Sequence, residues 1–141
     1  MTIEHKKYTE TSSSDEIQEI KSRLYFLPGY ENVLLWKEMP VTSTFSFKIL
    51  NDAIIQAVKD LDSFQFIIDR SETTNKPDSE ERIIMREIVE NIPNVKRLLF
   101  ITNEGRLFHI LAKFIIGKQL NKDISYYKTL EDAIKNIEKN I

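Results

Sequence analysis

At 141 residues the chain is long enough to bury one real core and too short for two, so a single domain is expected. Apolar residues at 41% and charged residues at 30% are those of an ordinary globular protein and exclude the collagenous and disordered classes. A formal net charge of −2 with a pI near 5.8 leaves no basic footprint for a phosphate backbone, so nucleic acid is not an expected partner. The absence of cysteine removes disulfides, thiol nucleophiles and cysteine zinc sites together; it accords with a reducing compartment, and cytoplasm is the expected location.

Met1 to Ser14 is polar and lacks the apolar stretch of a secretory signal. Residues 1–22 read as a flexible polar segment in which Ser14 or Asp15 could cap a short helix through Ile17 and Ile20, and the single domain is placed at 23–141. Leu24 to Leu27 and Val33 to Trp36 are strand-like runs around Pro28-Gly29, an antiparallel hairpin. Between about Phe45 and Leu61, the positions Leu50, Ala53, Ile54, Ala57, Val58 and Leu61 recur at helical spacing. Phe64 to Ile68 is short, aromatic and β-branched, an interior strand running out into Asp69-Arg70-Ser71.

A second long helix is expected from Asp78 or Ser79, with Ile84, Met85, Ile88, Val89 and Ile92 on one face and its end before Pro93. Val95 to Thr102 is apolar on consecutive positions, as in a central strand covered on both faces. A further helix from about Glu104 to Ile116 stops at Gly117; its longest apolar stretch is interrupted by His109 and Lys113, far short of the roughly 18 residues of a membrane span. Ile124 to Tyr127 reads as the last strand, and Leu130, Ala133, Ile134, Ile137 and Ile141 as the buried stripe of a final helix. The fold class is therefore α/β, with the order ββαβαβαβα and a mixed, largely parallel sheet on which the helices pack.

The hairpin, the strand ending in Ile68-Asp69, the helix start at Asp78-Ser79, the strand KRLLFIT and the ending YYKTLEDAIKNIEK together resemble a STAS domain. This is the sulfate-transporter and anti-sigma-factor-antagonist module, and the closing pattern is most similar to its stand-alone bacterial branch. The resemblance covers roughly Arg23 to the C-terminus and rests on element order and hydrophobic pattern. It implies a non-enzymatic regulatory module of a bacterial signalling pathway that docks on a protein partner. In the antagonists an Asp-Ser-Ser-Gly sequence opens the matching helix and its serine is phosphorylated. Here the stretch is Asp78-Ser79-Glu80-Glu81, which keeps the Asp-Ser pair without the second serine and the glycine. The resemblance thus makes Ser79 a candidate phosphorylation site, with Glu80 and Glu81 as repelling neighbours.

Catalytic readings find little to use. Three glycines, Gly29, Gly105 and Gly117, make neither a P-loop nor a dinucleotide turn, and His5 and His109 give no metal-ligating spacing, so neither cofactor nor metal is expected. Asp69 ends a parallel strand, where ligand crevices form, and with Glu72 and Asp78 it could make a weak cation site or a general base; the alternative is a strand-end carboxylate bonded to loop amides. One face of the helix 104–116 carries Leu107, Ile110, Leu111, Phe114 and Ile115, and Phe108, Ala112 and Ile116 extend the apolar coverage beyond the width one sheet contact requires. It is either wedged between sheet and neighbouring helix, or it forms a self-association surface, a partner groove or the wall of an apolar pocket. Two functions remain open: the protein-interaction module, and a carrier of a small apolar or amphipathic ligand between sheet and helix.

Overall fold

The computed structural model of the chain describes residues 14–41, 43–73, 79–80, 83, 87, 92, 94–102 and 123–139. Its elements are α1 (Ser14–Ser22), β1 (Leu24–Phe26), β2 (Val33–Lys37), α2 (Thr44–Val58), β3 (Phe64–Asp69), β4 (Val95–Ile101), β5 (Asp123–Tyr127) and α3 (Leu130–Lys139). The strands form a five-stranded sheet in the order β1-β2-β3-β4-β5, with β1 antiparallel to β2 and the other neighbours parallel. An α/β fold with a mixed, largely parallel sheet is thus what the chain adopts.

The hairpin turns where the sequence expects it. Gly29 takes φ +84 and Asn32 φ +57, the left-handed conformations for which glycine and asparagine are the least strained residues. Leu27 N donates to Val33 O at 2.8 Å and closes the turn.

Side chains alternate across the strands, and the alternation divides the core in two. Leu34, Trp36, Phe66, Ile68, Leu98 and Phe100 face α2, whose Phe47, Leu50, Ile54 and Val58 complete that layer. Val33, Leu35, Ile67, Leu99 and Ile101 face the other way, onto Ala133 and Ile137 of α3. Burial on both faces is why Val33 to Trp36, Phe66 to Ile68 and Leu98 to Ile101 read as unbroken apolar runs. Val95 breaks the parity, since it packs on the α2 face with Leu98 and Phe100. The cause is a bulge: Phe64 pairs with Val95 but Gln65 pairs with Arg97, and the extra residue, Lys96, is exposed.

Local chemistry sets the ends of α2. Ser43 is its N-cap, accepting at Oγ from Ser46 N at 3.1 Å, while Ser43 N donates back to Ser46 Oγ at 3.0 Å, so two amides of the first turn are satisfied reciprocally. At the other end, Asn94 Nδ2 donates to the carbonyls of Val58 at 3.1 Å and Leu61 at 2.9 Å and ties the end of α2 to the start of β4.

Two boundaries differ from the sequence expectations. Ile20 of α1 is fully buried in the α2-side core, so the folded part starts upstream of Arg23 and the segment 1–22 is not uniformly a polar tail. α2 ends at Val58, and Leu61 is only partly buried. β4 lies inside the sheet between β3 and β5 and is buried on both faces, as expected. Ile92 is buried in the core, whereas Ile84, Met85, Ile88, Val89 and Ile141 fall outside the described residues.

Candidate functional site at the carboxyl edge of the sheet

Because β2 to β5 are parallel, their carboxyl ends come together at one edge of the sheet, the place where open α/β sheets form their crevices. The backbone ladder continues one residue past each strand. Glu38 N donates to Asp69 O at 2.9 Å, Arg70 N to Ile101 O at 2.8 Å, and Thr102 N to Tyr127 O at 3.1 Å. Glu38, Arg70 and Thr102 therefore extend the rows Leu34-Trp36, Phe66-Ile68 and Leu98-Phe100 on the α2 face, and all three are buried.

Burying charge in an apolar layer is costly unless it is paired. The structure meets this by placing Glu38 and Arg70 directly past the ends of the adjacent strands β2 and β3. Arg70 Nη1 donates to Glu38 Oε2 at 2.6 Å, with both side chains at 0% exposure. Arg23, just before β1, donates from its Nη1 to the Glu38 carbonyl at 3.1 Å and to Glu72 Oε2 at 3.1 Å. Lys37 Nζ stands 3.5 Å from the other oxygen of Glu72. A partly exposed rim of Arg23, Lys37 and Glu72 thus lies beside the buried ion pair, with side-chain exposures of 20%, 41% and 46%. Burial raises the Glu72 carboxyl pKa, but the Arg23 hydrogen bond and the Lys37 and Arg23 charges outweigh it, and the net direction is downward.

The loop after β3 is pinned to this edge. Ser71 N donates to Asp69 Oδ1 at 2.9 Å, Thr73 N to Arg70 O at 3.1 Å, and Thr73 Oγ1 to Met39 O at 3.0 Å. Asp69 is therefore the strand-end carboxylate bonded to a loop amide, the simpler of the two readings of the sequence. Glu72, expected beside it as a possible cation ligand, is turned to Arg23 and Lys37 instead. Among the described residues no group of three or more His, Asp or Glu could hold a metal ion.

The other sequence candidates separate. Ser79 is exposed and helical. Asp78, Leu107, Phe108, Leu111, Ala112 and Ile115 lie outside the described residues, as do His5 and His109. Trp36 is core, edge-on to Phe47 at 5.7 Å and stacked with Phe66 at 6.3 Å. Tyr126 stacks on Phe100 at 5.7 Å, and burial raises its hydroxyl pKa.

Sequence reasoning missed Glu38, Arg70 and Arg23. The available signal was an acid and a base placed directly after the apolar runs VLLWK and FIID, positions that a linear reading assigns to loops. Among the described residues no helix is long and apolar enough to cross a membrane. Comparison with family models, curated proteins and solved structures returned no match for the chain.

Proposed function

We propose that the chain is a non-enzymatic regulatory protein-interaction module of STAS-like type, acting in a bacterial signalling pathway in the cytoplasm and engaging its protein partner at the carboxyl edge of the sheet. The observation that carries this reading is the partly exposed Arg23–Glu72–Lys37 rim beside the buried Glu38–Arg70 pair. Exposed ion pairs are worth about 0–1 kcal/mol, so a partner's charges can replace them at little cost. The buried pair keeps the backbone under the rim fixed during the exchange. Side chains that exchange over a rigid base suit recognition, and their charge pattern supplies specificity.

Ser79 fits the same reading as a control point, since it is exposed and a phosphate there would add charge that a partner can read. Ser79→Asp and Ser79→Ala should then give opposite binding states with similar melting temperatures.

A photo-crosslinking residue placed at position 72, and separately at Lys59 on the opposite edge after α2, tests the site in the native host. The expected result is a protein adduct at 72 and none at 59, lost when Arg23 and Lys37 are both changed to Glu. Equal adducts at the two positions, or a native mass carrying a small apolar molecule and no protein, would overturn the proposal, the second outcome in favour of the ligand carrier.

A further inference from the structure

We draw no further inference here: the strongest candidate, the exposed aromatic pair Tyr25 and Phe26 on edge strand β1, offers apolar surface at one side of the sheet, and nothing in the structure shows what covers it.

Discussion

Replacing Glu38 by Leu leaves the Arg70 guanidinium buried without the carboxylate that its Nη1 bonds. The contact at 2.6 Å puts the charge centres about 4 Å apart, and at an effective dielectric constant near 20 this attraction is about 4 kcal/mol. Desolvating the two ions costs several kcal/mol each, so the intact pair contributes roughly nothing to net stability. Removing one partner is different, because the desolvation of the other remains. Glu38→Leu and Arg70→Met should each destabilise the fold by about 3–5 kcal/mol. The double variant replaces both charges with apolar volume and should be less destabilised than either single variant, or as stable as the parent. Urea unfolding gives these values directly, since Trp36 is the sole tryptophan, is buried 2% exposed, and reports exposure of the α2-side core through its emission. If Glu38→Leu costs less than about 1 kcal/mol, or the double variant loses the sum of the two singles, the two side chains are not a coupled buried pair.

Gly29 has nothing within 4 Å of an added Cβ, so Gly29→Ala tests backbone strain alone; at φ +84 it should cost about 1 kcal/mol by the same denaturation assay. Ile20→Ala should cost about 2–5 kcal/mol if α1 is part of the core, and a change near zero would return the segment to a mobile tail. The Glu72 carboxyl pKa is lowered in the folded state, so its contribution is present above the unfolded carboxyl pKa and is lost as pH falls through the folded value. Glu72→Gln should therefore reduce the acid sensitivity of stability in that window, by no more than about 1 kcal/mol for so exposed a group, and should leave stability near pH 7 to 9 without added pH dependence.

Periodicity made the elements legible, because Leu50, Ile54 and Val58 share one helix face and a hairpin must turn at Pro28-Gly29. It did not show which strand face met which helix. Consecutive burial in Leu98-Leu99-Phe100-Ile101 conceals the alternation that assigns Leu98 and Phe100 to α2 and Leu99 and Ile101 to α3. The bulge at Lys96 was hidden for a related reason, since an extra residue becomes visible only against its partner strand. Ile20 was undervalued because two apolar residues in a short charged helix carry little signal until the α2-side core is there to bury one of them. The α2 cap was missed because Ser43 and Ser46 form a serine–serine box, without the Glu or Gln that usually marks the third position.

The candidate site was the least legible part because its pairing is long-range: Glu38 and Arg70 are 32 positions apart and meet only through the register of β2 on β3. That register also gives a physical reason for keeping a buried ion pair that adds no net stability. Lys37 stands opposite Asp69, and one step further Glu38 meets Arg70. Slipping β2 by one residue in one direction would set Lys37 against Arg70, and in the other direction Glu38 against Asp69. Both slips bring like charges together at a buried edge, and both would also move Leu34 and Trp36 off the α2 face. Apolar residues at 38 and 70 would fill the layer equally well but would remove this penalty. The alternating charges thus act against wrong pairings, and they hold the carboxyl edge, with Arg23, Lys37 and Glu72 above it, in a single geometry.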